Sequence, residues 1–402
     1  MNTPYDPRYA AGLRRGSDSR TPLASGKDSA KDPAADAADA AADAAVDAAS
    51  SPTAARKDEH LDVTLRHEVG FRDTTSLFEG VRFQHNCVPE LDTAAIDTST
   101  WLFGKRLRVP LILAAMTGGT ARAGRVNRAL ASVAQTFGCA MGLGSQRAMI
   151  EEPSLVETYR VRDVAPDILL LANLGVVQAR ETCSSDVQRL VQSVGADALC
   201  VHMNPAQEIV QAEGDRDFRG GLQTFERLVR ELAVPVIAKE TGCGIGYEAA
   251  CLLYETGVRA VDVSGAGGTS WVAVEARRAR AGDGRAAALW QVLREWGVPT
   301  AVSVVFARKA GMAHVIATGG VRSGLDAAKA MALGACAAGI ARPALQAFER
   351  DGEDGVLRLL QQIEEQLRAV MLLVGARNVV QLQRCAVALS TEFREWLEVV
   401  QR

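Results

Sequence analysis

Short apolar runs recur along the chain from about residue 55, and each ends in glycine or polar residues before a helix-like segment. The segment LQTFERLVRELAV shows the amphipathic spacing that is typical of such helices. Short apolar runs bounded by turn residues predict buried strands. There are eight of them, at residues 110–116, 139–145, 168–175, 198–205, 235–240, 260–266, 314–320 and 336–343.

Eight strands that alternate with helices over roughly 250–300 residues predict an α/β fold of the (β/α)8 TIM-barrel type. A doubly wound sheet produces the same alternation, but its G-x-G-x-x-G fingerprint does not follow the first strand. In a barrel the active site lies at the C-terminal ends of the strands. We therefore expect the polar and glycine-rich residues that end these runs to share one pocket.

The first 54 residues differ in composition from the rest of the chain. The segment KDPAADAADAAADAAVDAASSPTAA is almost entirely alanine and aspartate, with no large apolar side chain. Such a segment cannot bury enough apolar surface to offset the entropy cost of ordering it. We predict a disordered tail without chemistry over residues 1–54 and a single barrel domain over residues 55–402.

The charge balance gives no reason to expect a nucleic-acid or membrane partner. The chain has 45 basic and 48 acidic residues, a net charge of −3, and no apolar run as long as a membrane-spanning helix. Its N-terminus lacks the apolar core of a secretion signal. The eight cysteines are scattered without a C-x-x-C pair, which predicts reduced packing thiols in a cytoplasmic protein rather than zinc ligands or disulfides.

The end of the fourth predicted strand carries the densest set of polar side chains. His202 and Asn204 alternate along the strand and should face the same side, and Gln207 and Glu208 follow at once. A single glutamate can hold Mg²⁺ when a diphosphate supplies the other oxygens. The alternative for Glu208 is the first turn of a helix capped by Asn204, but one cap does not require the whole set.

The seventh and eighth strands end in TGGVRSG and GIARP, at the usual phosphate-binding corner of such barrels. Their glycines let backbone N–H groups approach an anion, and Arg322 or Arg342 adds positive charge. Lys239 ends the fifth strand, where it can stabilise negative charge on a flavin ring or pair with Glu240. Because AAMTGG and SGAGGTSW add small residues at strands one and six, FMN is the natural candidate for a planar, phosphorylated cofactor.

The segment RKDEHL stands where the globular part of the chain begins. Arg56 and His60 are four residues apart and would share one face of a helix. Arg56 and Lys57 together could hold a diphosphate. The alternative is a solvated run of charges, which is what most such runs are.

The chain resembles the type 2 isopentenyl-diphosphate isomerases in ten motifs that occur in the order of that family: RKDEH, AAMTGGT, GSQRA, ANLG, HMNPAQEIVQAEGDRDF, KETGCGIG, GAGGTSW, EWGVPT, ATGGVRSGLDAAKAMALGA and GARNVVQL. The resemblance runs from Arg56 to near the C-terminus. It implies a homotetrameric or homo-octameric (β/α)8 barrel that interconverts isopentenyl diphosphate and dimethylallyl diphosphate without net redox change. It also implies FMN, Mg²⁺, and NAD(P)H as the reductant that keeps the flavin reduced.

The resemblance further implies roles for individual residues. Glu208 is the expected ligand of Mg²⁺. The expected catalytic residues, which position the substrate and tune the flavin, are His202, Asn204 and Gln207. The expected substrate-binding residues are Arg56, Lys57, His60, Ser145, Gln146, Arg147 and Gln207. The expected FMN contacts are Ala115, Met116, Thr117, Ser145, Asn173, Lys239, Thr269, Gly320, Val321, Arg322, Ala341 and Arg342.

Two other functions share parts of this pattern. FMN-dependent oxidation or dehydrogenation of a 2-hydroxy acid would need a histidine base at a late strand end, whereas His314 starts the seventh strand. A non-catalytic barrel that binds a phosphorylated ligand would not require so many polar strand ends. Net cofactor oxidation per product distinguishes an oxidoreductase from an isomerase.

Deletion of residues 1–50 is expected to leave the fold and the turnover rate unchanged, because the Ala/Asp-rich composition of the tail gives it no core to join. The measurement compares thermal unfolding and turnover of the shortened and full-length chains. A large loss of activity in a shortened protein that still binds FMN would contradict this prediction.

Overall fold

The strands follow one another in the order that the apolar runs predict, in a computed structural model that describes residues 52–279 and 283–401. Three short strands come first: β1 (Val81–Phe83), β2 (Thr100–Leu102) and β3 (Lys105–Leu107). The next eight are β4 (Leu111–Leu113), β5 (Ala140–Gly142), β6 (Leu170–Gly175), β7 (Ala198–Met203), β8 (Val236–Glu240), β9 (Ala260–Asp262), β10 (His314–Thr318) and β11 (Ala337–Ile340), and β12 (Val387–Leu389) is the last.

Strands β4–β11 form a closed barrel of parallel strands, in which β11 pairs with β4 and β10 pairs with β9. Each of the eight apolar runs contributes one strand, so the predicted TIM barrel is confirmed. Each observed strand is shorter than its run. In six of the eight, the polar and glycine residues at the end of the run belong to the loops at the barrel mouth, whereas β6 and β8 end where their runs end.

Helices surround the barrel and connect its strands. Those of the described residues are α1 (Pro52–Arg66), α2 (Ala121–Phe137), α3 (Arg147–Glu151), α4 (Val176–Glu181), α5 (Ser184–Ser193), α6 (Pro205–Val210), α7 (Gly221–Glu231), α8 (Tyr247–Glu255), α9 (Trp271–Arg278), α10 (Gly284–Leu293), α11 (Thr300–Lys309), α12 (Gly324–Ala332), α13 (Arg342–Leu373), α14 (Val379–Leu382) and α15 (Thr391–Glu398). Helix α13 is interrupted at Asp351 and Gly352, where the backbone dihedrals leave the helical region.

Helix α7 shows how the spacing of apolar residues in the sequence produces a helix face that packs on the barrel. Phe225 and Leu228 are three residues apart and buried, whereas Gln223 and Glu226 point to solvent. Burial of an apolar side chain of this size stabilises the fold by about 1.5–3 kcal/mol. The amphipathic pattern therefore fixes which face of the helix packs on the strands.

The inward side chains of the barrel change from apolar to polar along the strand direction. Leu171, Cys200 and Ile237 belong to one apolar cluster inside the barrel. The residues two positions later on these strands are Asn173, His202 and Lys239, which face the same side because strand side chains alternate. The mouth of the barrel is therefore polar directly above an apolar floor.

The opposite end of the barrel is closed by the hairpin of β2 and β3. Leu102 and Leu107 from this hairpin join the same inner apolar cluster. The turn residues Phe103 and Gly104 both have positive φ, 48° and 79°, as a two-residue hairpin turn requires. The ring of His314 packs edge-on against Phe103 with 5.2 Å between centroids. His314 therefore lies at the closed end, away from the mouth, as expected from its place at the start of its strand.

Most of the predicted tail, residues 1–51, lies outside the described residues, and its disorder stays a prediction. Helix α1 begins at Pro52, so residues 52–54 form its first turn. All eight cysteines are free thiols. Among the helices that the structure describes, none is long and apolar enough to cross a membrane.

Candidate active site

A cavity of about 480 Å³ opens at the C-terminal ends of the barrel strands. Every barrel strand contributes lining residues at or just beyond its end, and helix α1 contributes a further wall. The cavity lining includes the predicted residues Arg56, Lys57, His60, Ala115, Met116, Thr117, Ser145, Arg147, Asn173, His202, Asn204, Gln207, Glu208, Lys239, Thr269, Gly320, Val321, Arg322, Ala341 and Arg342.

Gln146 is the one predicted site residue that does not line the cavity. It is fully buried, and its amide oxygen accepts a hydrogen bond from the backbone N–H of Asn173 at 3.0 Å. Its own backbone N–H donates to the Asn173 carbonyl at 2.8 Å. Gln146 therefore holds the end of β6 in place, and its expected contact with the substrate stays a prediction.

Glycines make the corner of the cavity at the ends of β9 and β10. Gly319 and Gly320 have positive φ of 108° and 71°, a conformation that favours glycine. A Cβ atom on Gly320 would lie 2.7 Å from the carbonyl oxygen of Gly267, and one on Gly268 would lie 2.5 Å from the backbone nitrogen of Gly320. The two loops thus pack backbone against backbone, an approach that only glycine allows at these positions.

The two arginines of this corner are tied to different partners. Arg322 donates through Nη2 to the carbonyl of Gly267 at 3.2 Å. Arg342 donates through Nε to the carbonyl of Thr64 at 3.0 Å and through Nη2 to that of His67 at 2.7 Å. Arg342 therefore bonds to carbonyls at the C-terminal end of α1, where a helix carries unsatisfied acceptors.

Two hydroxyl groups of the cavity lining lack partners. The Oγ1 atoms of Thr117 and Thr318 are buried, and neither has a hydrogen-bond partner within the described part of the chain. A buried hydroxyl without a partner costs free energy, so such groups in a cavity wall indicate a polar ligand.

Lys239 lies at the floor of the cavity and forms a buried ion pair with Asp262. Its Nζ atom is 2.9 Å from Oδ2 of Asp262 and also donates to the Glu240 carbonyl at 3.1 Å. The Glu240 carboxylate, which the sequence offered as the alternative partner, instead accepts hydrogen bonds at 2.5–3.1 Å from the backbone N–H groups of residues 241–244. Burial raises the pKa of Glu240 to about 7, although these hydrogen bonds oppose the shift.

His202 is held as a neutral ring. Its Nδ1 atom lies 2.8 Å from Oδ1 of Asn173. Because an amide oxygen only accepts, we assign the proton to Nδ1, which leaves Nε2 as an acceptor. Burial lowers the pKa of His202 to about 3, and the positive charges of Lys57 and Lys239 add to this shift. A neutral His202 can accept a hydrogen bond in the cavity but adds no positive charge to it.

Helix α1 brings a cluster of positive charges to the cavity. Arg56, Lys57 and, from α3, Arg147 all line it. Burial, together with the charges of Arg56 and Arg147, lowers the pKa of Lys57 to about 8. Like charges that line one cavity repel one another, so this cluster favours a multiply charged anion.

Glu275 organises the polar groups beside this cluster, and the sequence analysis did not single it out. Its Oε1 atom lies 2.8 Å from His60 Nε2 and accepts from Gln207 Nε2 at 2.8 Å, and Arg278 forms an ion pair with its other oxygen. Burial raises the pKa of Glu275, but the hydrogen bond and charge of His60 and the charge of Arg278 outweigh it, so the pKa is lowered. The only signal in the sequence is one acidic residue inside the apolar turn WVAVEA.

Glu208 is the only carboxylate among the described residues that line the cavity. Its Oε1 accepts from Asn204 Nδ2 and its Oε2 from the backbone N–H of Asp215, both at 2.8 Å. Burial raises its pKa, while these two hydrogen bonds oppose the shift. Over residues 52–279 and 283–401 no group of three or more His, Cys, Asp or Glu side chains could hold a metal ion alone.

The sequence and the fold of the chain are similar to those of known proteins. The family model of FMN-dependent dehydrogenases matches residues 49–208 and 202–389. A solved structure of mandelate oxidase with (S)-2-phenylpropionate has a TM-score of 0.59 and 22% sequence identity, and the match covers 83% of this chain and 94% of that one. At that identity the likeness concerns the fold alone. The chain belongs to the FMN-dependent dehydrogenase family.

Relatives at higher sequence identity show to which group within this family the chain belongs. The isopentenyl-diphosphate delta-isomerase of Thermococcus kodakarensis is 44% identical over 356 residues, which is 86% of this chain and 94% of the relative. The enzyme of the same name from a Nostoc species is 44% identical over 336 residues, which is 83% of this chain and 95% of the relative. Within the family, the chain is a member of the type 2 isopentenyl-diphosphate delta-isomerases, which confirms the resemblance drawn from the motifs.

Binding of inorganic diphosphate is expected to weaken by about tenfold between pH 7 and pH 9, because a lysine with a pKa near 8 loses its proton over this range. Titration calorimetry at both pH values measures the effect. The control is Lys57→Arg, whose guanidinium stays charged, so any weakening left in this variant comes from the ligand or from other groups. Equal weakening in both proteins would exclude Lys57 as the cause.

Proposed function

We propose that the protein interconverts isopentenyl diphosphate and dimethylallyl diphosphate, with reduced FMN and Mg²⁺ and without net redox change. One observation carries the proposal: a glycine-lined corner, a cationic wall and a single carboxylate meet in one cavity. The corner suits a flavin phosphate, the wall suits a diphosphate, and the carboxylate suits a metal ion that the diphosphate helps to bind.

The residues of the cavity fit FMN. The backbone of Gly319 and Gly320 offers N–H groups to a phosphate, and the buried hydroxyls of Thr117 and Thr318 are free to bond to a polar ligand. The groups that would hold the cofactor are Ala115, Met116, Thr117, Ser145, Asn173, Lys239, Thr269, Gly320, Val321, Arg322, Ala341 and Arg342. When bound, a reduced flavin supplies an electron-rich ring face and an N5 position that can exchange protons.

The cationic wall would bind the diphosphate of the substrate. Arg56, Lys57 and Arg147 supply the charge, with Ser145 and His60 close by in the lining. Lys57 lines the cavity, and the charge of Glu151 only partly offsets the burial and the like charges that lower the pKa of this lysine. Arg56 lies 3.9 Å from the exposed Glu213, at the outer limit of an ion pair. A diphosphate would relieve the repulsion within this cluster.

The isomerisation requires a proton to be added at one carbon of the alkene and removed from another. Gln207 would contact the prenyl group, and Glu275 holds its amide nitrogen at 2.8 Å. Asn204 contacts both Gln207 and Glu208, at 3.3 Å and 2.8 Å. Neutral His202, fixed by Asn173, would orient the reactants without adding a charge. These residues would position the substrate for the two proton transfers.

Glu208 would ligate Mg²⁺ together with oxygens of the substrate. Mg²⁺ takes one or two carboxylates, waters and phosphate oxygens rather than a cage of protein ligands. The absence of a larger ligand cluster among the described residues is compatible with this mode of binding. By family resemblance we also propose NAD(P)H as the reductant, a homotetramer or homo-octamer as the assembly, and the cytoplasm as the location.

An anaerobic assay is expected to show activity with reduced FMN and none with oxidised FMN. Once the flavin is reduced, NAD(P)H consumption should fall far below one equivalent per product, because the reaction leaves the oxidation state of the substrate unchanged. Product formation and NAD(P)H absorbance are followed together. Stoichiometric NAD(P)H consumption would instead identify an oxidoreductase.

Glu208→Gln is expected to weaken Mg²⁺-dependent turnover severely, since the variant keeps the side-chain shape but loses the charge that attracts the metal. FMN binding should stay near that of the parent, because the proposed flavin phosphate site lies at the loops after β10 and β11, where Gly319 and Gly320 belong to the glycine corner, and Glu208 follows β7. The measurement is a Mg²⁺ titration of turnover. The matched control is Asp217→Asn, an exposed carboxylate on the same connection that pairs with Arg219 at 2.8 Å. Superimposable titrations of all three proteins would remove Glu208 from the metal site.

A further inference from the structure

Asp262 is a buried acidic group to which the proposed chemistry assigns no part. It ends β9, and its Cα stands in register with that of Lys239 on β8. The two side chains form an ion pair at 2.9 Å, and both are more than 90% buried. The second carboxylate oxygen, Oδ1, is buried and has no hydrogen-bond partner among the described residues.

A purely structural ion pair would satisfy both carboxylate oxygens, because an unpaired buried oxygen costs free energy. Lys239 lines the cavity and Asp262 does not. The lysine thus presents its charge to the ligand, while the aspartate stands behind it. A negative charge in this position reduces the field that the lysine exerts on whatever occupies the cavity.

We propose that Asp262 sets the electron affinity of the bound flavin by compensating the positive charge of Lys239. The inference rests on the proposed binding of FMN in this cavity. A cation beside the N1–C2=O edge stabilises the negative charge of a reduced flavin and raises its reduction potential. Asp262 opposes that stabilisation, so it is a tuning residue that acts through Lys239 and does not touch the substrate.

The physical consequence suits a redox-neutral reaction. An oxidase gains from a strongly electron-accepting flavin, whereas an isomerase needs its flavin only to stay reduced and to remain electron-rich. An uncompensated lysine would draw electron density toward the pyrimidine end of the ring. The buried partner limits this effect at the floor of the cavity, where low solvent access leaves the charges poorly screened.

The test uses the FMN-loaded full-length protein and the variant Asp262→Asn, which keeps the volume and an oxygen that can accept from Lys239. Sulfite serves as the probe, because its addition to oxidised flavin places negative charge at the N1–C2=O edge and bleaches the visible absorbance. The sulfite Kd is expected to fall at least about tenfold in the variant, since a buried charge is no longer compensated. The midpoint potential should rise by about 30 mV for each tenfold change of a two-electron couple.

Lys239→Met and the double variant Lys239→Met/Asp262→Asn complete a double-mutant cycle. Lys239→Met should shift sulfite binding and the midpoint potential in the direction opposite to Asp262→Asn, and the double variant should lie close to the parent, because the Coulomb contributions of the two charges add. Unchanged sulfite binding and potential in Asp262→Asn, or a double variant no closer to the parent than either single variant, would overturn the proposal.

If Asp262→Asn alone fails to retain flavin, the double variant decides. Flavin retained in the double variant supports the proposal, since the uncompensated lysine is then the cause of the loss. Flavin lost in both shows that Asp262 is structural and overturns the proposal. A parent protein that binds no FMN at all would instead defeat the proposed function, which keeps the two failures apart.

Discussion

The strand register of the closed barrel is the constraint on which every functional side chain of the cavity depends. The pairing aligns His202 with Lys239 and Lys239 with Asp262 across three neighbouring strands. A slip of one residue on β8 would turn Lys239 outward and bring its neighbour into the barrel. The apolar layer of Leu171, Cys200 and Ile237 opposes such a slip. A slipped strand would turn its apolar side chain out of this layer and its polar side chain toward the surrounding helices. The apolar layer inside the barrel thus determines which polar side chains face the cavity.

The cavity separates its charges according to what each part must bind. At the floor, the Lys239 charge is compensated by Asp262, and His202 is neutral. On the wall made by α1, Arg56 and Lys57 keep an excess of positive charge that burial makes costly. A planar aromatic ring suits the first environment and a diphosphate suits the second. The protein therefore avoids a uniform basic field, which would also bind unrelated anions.

The sequence predicts the barrel well because buried parallel strands are continuous apolar runs, which stand out without any alignment. It also predicts which residues reach the mouth, since these follow the runs directly. The sequence does not predict which side chains form hydrogen bonds or ion pairs with one another. Adjacent strand residues face opposite sides, which is why Glu240 does not pair with Lys239, and the true partner lies 23 positions away. Glu275 is 68 positions from Gln207 and 215 from His60, separations at which no local pattern carries information. The hydrogen bond between Gln146 and Asn173 on β6 likewise spans 27 positions.

The two halves of the cavity are built from elements of different kinds, and this bears on how they work together. The glycine corner is formed by loops of the barrel itself. The cationic wall stands on α1, which is bound by polar contacts such as Asp62 to Arg122 at 3.0 Å and His60 to Glu275 at 2.8 Å. Arg342 joins the two halves, since it lines the cavity beside the glycine corner and donates to two carbonyls at the end of α1. A change at the glycine corner can therefore reach the cationic wall through one guanidinium group.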